Sequence, residues 1–248
     1  MHFRVCSNTF GARKLIETKN ENNTGRTIAI GDIHGHADAL KRLLYEIRPS
    51  NSDTIVPLGD YVNRGPDSRG VIETLIELAE HCRVFPILGN HDEMMLEARN
   101  NRDALDRFRY DGGDHTCGSY SSDAWFYADS LRFVPDEHWE FLNRCLPFYE
   151  GDDCIFTHAS YDPFLAMKDQ PARLLRWTSI ATGAPVPHVS GKIVVVGHTP
   201  ELFLRHYGHL VCIDTACGFG GKLTAREPAT GMTWWVGETG VQKQGAQV

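Results

Sequence analysis

Three short stretches set glycine beside side chains that bind cations: Gly31-Asp32-Ile33-His34-Gly35, Gly59-Asp60-Tyr61-Val62-Asn63-Arg64-Gly65 and Gly89-Asn90-His91-Asp92. Two more histidines lie far downstream, in His158-Ala159-Ser160 and Gly197-His198-Thr199-Pro200. Asp32, His34, Asp60, Asn90, His158 and His198 make a set of oxygen and imidazole donors with no thiolate. Such a set suits manganese, iron or zinc rather than a cysteine-rich structural zinc. Two cations side by side need a bridging anion, and Asp60 is the natural carboxylate for it. A pair of divalent ions about 3.5–4 Å apart activates a shared water and clamps phosphoryl oxygens. The chemistry to expect is hydrolysis of a phosphate ester or anhydride.

Residues so far apart must be brought together by regular elements. Thr27–Ile30, Thr54–Leu58 and Val84–Leu88 are short apolar runs, each ending at one of the glycine motifs. Between them, Ala37, Leu40, Leu43, Leu44 and Ile47 recur at helical spacing, as do Val71, Ile72, Leu75, Ile76, Leu78 and Ala79. This βαβαβ alternation predicts parallel strands with helical crossovers. Ligands then sit at the carboxyl ends of the strands, where open α/β sheets form their crevice. Residues 93–150 change character, and a helical cap insertion is expected there, with a helix between Glu137 and Leu146. Strands return at 154–157, 192–196, 209–213, 223–226 and 232–236. The glycines before the acids (Gly31, Gly59, Gly89) are expected to let the backbone turn sharply. His36 reads as a helix-start residue. His2, His81, His115, His138, His188, His206 and His209 show no placement at a strand end.

The 248 residues are 42% hydrophobic and 23% charged, an ordinary globular composition. A net charge of −7 argues against binding a nucleic-acid polymer, which needs a basic face. Seven cysteines with no CxxC pair read as reduced thiols of a cytoplasmic protein. No signal peptide and no membrane span are read from the sequence. Residues 1–25 are expected to be a mobile leader, and 26–248 a single domain acting as a monomer.

The five motifs, in this order and covering about residues 28–215, resemble those of the phosphoprotein phosphatase superfamily. The branch they resemble holds the lambda-type bacterial and phage protein phosphatases and the symmetric diadenosine tetraphosphatases. The resemblance implies an α/β, calcineurin-like fold, a central β-sandwich flanked by helices. It implies two divalent metal ions, manganese first. Asp32, His34 and Asp60 would bind one ion, and Asp60, Asn90, His158 and His198 the other. His91 would be the general acid, and Arg64 would grip the phosphate with its planar fork. A second phosphate arginine is expected between the last two motifs: Arg176, with Arg173 as its rival. Asn90 would also meet the phosphate.

One departure matters. Asn63 stands where the family usually has an aspartate that favours the protonated form of the catalytic histidine. Asn63 would orient His91 through its amide oxygen but bring no full charge. A weaker acid catalyst suits good leaving groups: aryl phosphates, phosphotyrosine or anhydrides. Asp92 or a cap residue would be the group to compensate. In the cap, Arg107 to Asp114 would meet a second phosphate through its arginines and stack a base on Tyr110, or would merely pack on the sheet. The loop at Gly218–Gly221 would lie near the site. The sequence puts phosphoproteins (phosphoserine, phosphothreonine, phosphotyrosine) first as substrates. Dinucleoside tetraphosphates come second, and a non-catalytic binding module third.

Overall fold

The computed structural model describes residues 25–121, 130–237 and 240–245. The stretch read as a mobile leader lies outside the described residues except for Gly25, as do His2 and Cys6. Strands β1 (Thr27–Ile30), β2 (Thr54–Pro57) and β3 (Arg83–Val84) run parallel, joined by helices α1 (Ala37–Ile47) and α2 (Ser68–His81). His36 is the N-cap of α1. The third strand is shorter than the apolar run. Pro57 and Pro86 have no N–H to donate, so past Val84 the chain keeps only the bonds from Phe85 N–H to Ile55 O and from Ile87 N–H to Pro57 O. It then bridges to Leu146 on its other side. At the sheet's entry the buried carboxylate of Asp53 accepts from the guanidinium and backbone N–H of Arg26 and from the Ser50 N–H. Burial alone would raise its pKa, but these bonds outweigh it and hold the carboxyl well below the usual range.

The expected insertion folds as α3 (Asn90–Ala98), α4 (Arg102–Phe108), a kinked turn over Arg109–Gly113, α5 (Asp114–Tyr120) and α6 (Asp136–Asn143). Its Leu105, Phe108, Cys117, Trp139 and Leu142 share one core with Ile28, Ile30, Leu40 and Leu75. The helices therefore pack on the flank of the first sheet. The last residues of the segment are not helical: Phe148–Glu150 forms β4, an edge strand of the second sheet.

That sheet continues with β5 (Cys154–Thr157), β6 (Ile193–Val196), β7 (Arg205–His206) and β8 (Leu210–Cys212), in the order β4-β5-β6-β8-β7, and α7 (Ala172–Trp177) lies between β5 and β6 in the chain. Strands β5, β6 and β8 are parallel. Strands β9 (Leu223–Arg226), β10 (Thr233–Gly237) and β11 (Gly240–Gln244) return antiparallel to the first sheet, ordered β11-β10-β9-β1-β2-β3.

Side-chain alternation builds the sandwich. Ile28 and Ile30 face the helices, while Ala29 joins Val56, Leu58 and Ile87 against Phe156, Val195, Val211 and Ile213 of the second sheet. On the far side Val194, Val196, Leu210 and Cys212 pack with Tyr161, Leu175 and Ile180. The central strands are buried on both faces, so their sequences are unbroken apolar runs. Each fully buried Ile, Leu or Val stabilises by about 1.5–3 kcal/mol. This is the helix-flanked β-sandwich expected from the sequence. The described cysteines, Cys82, Cys117, Cys145, Cys154, Cys212 and Cys217, are free. Among the described residues no helix is long and apolar enough to cross a membrane.

Candidate metal centre

The expected ligands stand one to four residues past their strands: Asp32 and His34 after β1, Asp60 after β2, His158 after β5 and His198 after β6, with Asn90 opening α3. Two sheets thus deliver side chains to one place. Two of the histidines have the ring held by a backbone carbonyl: His34 Nδ1 by Val62 O at 3.0 Å and His158 Nδ1 by Leu58 O at 2.8 Å. A ring nitrogen that donates to a carbonyl carries the proton, so the other presents its lone pair inward. His158 Nε2 and His198 Nδ1 both lie 2.9 Å from Asn90 Oδ1. His34 Nε2 is 3.4 Å and His158 Nε2 3.5 Å from the Asp60 carboxylate.

Donor atoms of His34, Asp60 and His91 lie within 4.8 Å of one another, and so do those of Asp60, His158 and His198. Asp60 belongs to both groups, as a bridging carboxylate must. The inward lone pair of His158 Nε2, converging on the Asn90 oxygen and the Asp60 carboxylate, is repelled by both unless a cation lies among them, so this donor set fits divalent ions. Asp32 is in neither group. Its carboxylate accepts the His198 N–H at 3.0 and 3.2 Å, and the charge of Asp214 acts on it. Asp214, buried, is a residue the sequence reading missed. The signal was present, since Ile213-Asp214 follows β8 as Gly31-Asp32 follows β1.

Electrostatics tell the same story. Burial, then the neighbouring Asp214 and Asp60, drives Asp32 well above the carboxylate range. Burial pushes Asp60 and Asp214 each up to about 7. Burial lowers His34 well below its usual value and brings His158 and His198 down to about 4. Neutral imidazoles are what a metal needs, and crowded carboxyls are what a cation would relieve.

Backbone conformation at the centre is costly. Seven non-glycine residues among those described have positive φ, and six of them are His34, Asp60, Asn63, Arg64, His198 and Ala216. Such strain persists where surrounding structure over-determines it, and it gathers at functional sites. The glycines divide into two kinds. Gly59 takes a φ of 107°, a true left-handed turn, whereas Gly89 is in ordinary extended backbone. Gly89 is needed for close approach: a Cβ there would come within 2.2 Å of Asp60 Oδ1. The expected sharp turn therefore holds at Gly59 and not at Gly31 or Gly89. Asp92 staples the same corner by accepting from the Asp60, Tyr61 and Gly89 N–H groups. Its oxygens are committed there, so it does not stand in for the missing aspartate at His91.

His91 lies between two donors. Arg64 Nη2 is 3.0 Å from its Nε2, and the Asn63 side-chain nitrogen is 2.9 Å from its Nδ1. The amide oxygen, expected toward His91, instead accepts from Thr116 Oγ1 at 2.9 Å. Thr116 also accepts the Asn63 N–H and contacts Ser68 Oγ. The helical insertion thus reaches the site through Thr116 and through the Gly112 carbonyl, which accepts from Arg64 N–H. Of the other insertion residues expected to reach the substrate, Arg109 pairs with Asp114 and Tyr110 is exposed. Arg64 Nη1 lies 2.6 Å from His34 Nε2, and its guanidinium stacks 4.3 Å from the exposed ring of Phe219. The Gly218–Gly221 loop therefore does border the site. Arg176, on α7, pairs with Glu93 at 2.6 Å, beside the second ligand group. The histidines set aside from the sequence serve elsewhere: His188 ties Leu165 to Ser190, His209 meets Pro185, and His138 meets Tyr120.

Residues 25–217 match the family model described as calcineurin-like phosphoesterase. The chain is 40% identical to the symmetrical bis(5'-nucleosyl)-tetraphosphatase of Ralstonia nicotianae, over 79% of this chain and 87% of that one. It is 27% identical to serine/threonine-protein phosphatase 1 of Salmonella typhimurium, over 79% and 88%. Among solved structures, that of a candidate diadenosine tetraphosphatase superposes with a TM-score of 0.63 at 23% identity, covering 91% of this chain and 95% of the other.

Proposed function

The chain belongs to the calcineurin-like phosphoesterases, and on that premise we propose that it hydrolyses the phosphoanhydride of a dinucleoside tetraphosphate. The observation that carries hydrolysis at phosphorus is the inward convergence of His34, His158 and His198, with Asn90, on a shared Asp60. Asp32, His34, Asp60, Asn90, His158 and His198 would hold two divalent ions, manganese first. When bound, such a pair activates water and neutralises phosphoryl charge. The rest falls to the protein. Arg64 and Arg176 take phosphate oxygens. A neutral imidazole accepts at one nitrogen only, so Arg64 and Asn63 compete for His91. When Arg64 turns to a phosphate, the Asn63 amide holds Nδ1 as acceptor, and Nε2–H faces the leaving oxygen.

Phosphoproteins came first in the sequence reading. Two things favour the anhydride instead: the 40% identity to a tetraphosphatase over most of both chains, and the uncharged Asn63, which suits a good leaving group. The phosphoprotein reading rests on the likeness to the Salmonella phosphatase. The test is a panel of diadenosine tetraphosphate, phosphoserine, phosphothreonine and phosphotyrosine peptides, and para-nitrophenyl phosphate, each with and without Mn²⁺. Diadenosine tetraphosphate should give two molecules of adenosine diphosphate and the highest kcat/KM. A phosphopeptide that outpaces it reverses the order, and activity that survives metal removal defeats the centre itself.

A further inference from the structure

A cavity of about 350 Å³ is lined by Glu93, Arg173, Arg176 and Trp177. It adjoins the second ligand group, because the neighbours of both ligand histidines are bonded to helix α7 and the segment after it: Thr157 Oγ1 and Ala159 N–H donate to the Leu175 carbonyl, and Thr199 Oγ1 accepts from Ile180 N–H. Resting on the dinucleotide reading above, we propose that this cavity binds the nucleoside phosphate portion of the substrate beyond the bond being cleaved, and that Glu93 gates it. The guanidinium of Arg176 is incompletely used: one nitrogen pairs with Glu93 Oε1 at 2.6 Å, while its buried Nε–H has no hydrogen-bond partner. Arg173 is exposed and, among the described residues, has no ion-pair partner. Two such forks match the oxygens of a phosphate. Trp177 is 39% exposed and offers an indole face on which a base would stack. Its Nε1–H donates to Glu93 Oε2 at 2.6 Å. Glu93 thus holds both the arginine and the indole, and an entering phosphate must displace or share it. The carboxylate sets how much negative charge the cavity admits.

The test measures inhibition of para-nitrophenyl phosphate hydrolysis by adenosine diphosphate and by pyrophosphate, with divalent ion in excess of both. Arg173→Ala should raise the inhibition constant of adenosine diphosphate about tenfold more than it changes KM for the aryl substrate. Trp177→Leu should weaken adenosine diphosphate but not pyrophosphate. Glu93→Gln should tighten both inhibitors severalfold, a gain that misfolding does not imitate. If Arg173→Ala alters inhibitor and aryl substrate alike and Glu93→Gln tightens neither, the site is wrong. Cleavage of the tetraphosphate is read separately. If the three variants behave as described without that cleavage, the site stands and the substrate falls. If cleavage occurs but the variants have no selective effect, the reverse holds.

Discussion

Asn63 stands where the resemblance to the phosphoprotein phosphatases implies an aspartate. Its side chain is pinned between Thr116 and His91, and it brings no negative charge to the imidazole. A neutral imidazole can offer the leaving oxygen a hydrogen bond from Nε2–H but not a full proton, which is adequate for an anhydride or aryl oxygen and poor for an alkoxide. General acid catalysis is typically worth about 10²–10⁴-fold. Asn63→Asp is therefore expected to raise kcat on an alkyl phosphate about tenfold or more while changing kcat on para-nitrophenyl phosphate little. Equal effects on the two substrates would show that His91 does not depend on this partner.

At the scale of the element, the helices matter through their ends. Helix α2 starts at Asp67, whose carboxylate accepts the Gly70 N–H at 2.8 Å, and it follows directly on the loop that carries Asn63 and Arg64. Asp67→Ala should lower stability by about 1 kcal/mol, read as a reduced midpoint in urea with an unchanged slope. The pair at the head of the first sheet is also testable. Because the folded pKa of Asp53 lies below the unfolded one, its contribution is complete above the ordinary carboxylate pKa of about 3.9. It is lost as pH falls through that value toward the folded one. Asp53→Asn should thus cost about 2 kcal/mol at pH 7, and the gap from the parent should narrow below about pH 4. A gap that stays constant to pH 2 would refute the assignment.

For the molecule as a whole, the centre lies where two sheets meet, so ions bound there would tie the sheets together. Asp32, Asp60 and Asp214 are crowded in a buried space, and a bound cation would offset their mutual repulsion. Ligand at 100 times its Kd stabilises by about 2.7 kcal/mol. Saturating Mn²⁺ should raise Tm by several degrees and excess chelator should reverse it, while Asp60→Asn, which removes the shared carboxylate charge, should lose most of the shift. A Tm indifferent to the metal would argue against ions at this junction.

The sequence alone determined the local elements and the list of donors. Apolar runs of four or five residues are strands when both faces are buried, and the acids and histidines beside them mark the strand ends. Where it erred locally, the causes were local too: prolines shorten β3, and Phe148–Glu150 pairs as an edge strand beyond the helices. Only the tertiary structure decided what the donors face. Asp32 turns to the His198 N–H, Glu93 meets Arg176 across 83 positions, and Thr116 donates to the oxygen of Asn63. Those pairings join residues from different strands and helices. Their geometry follows from how the two sheets pack, which no spacing along the chain encodes.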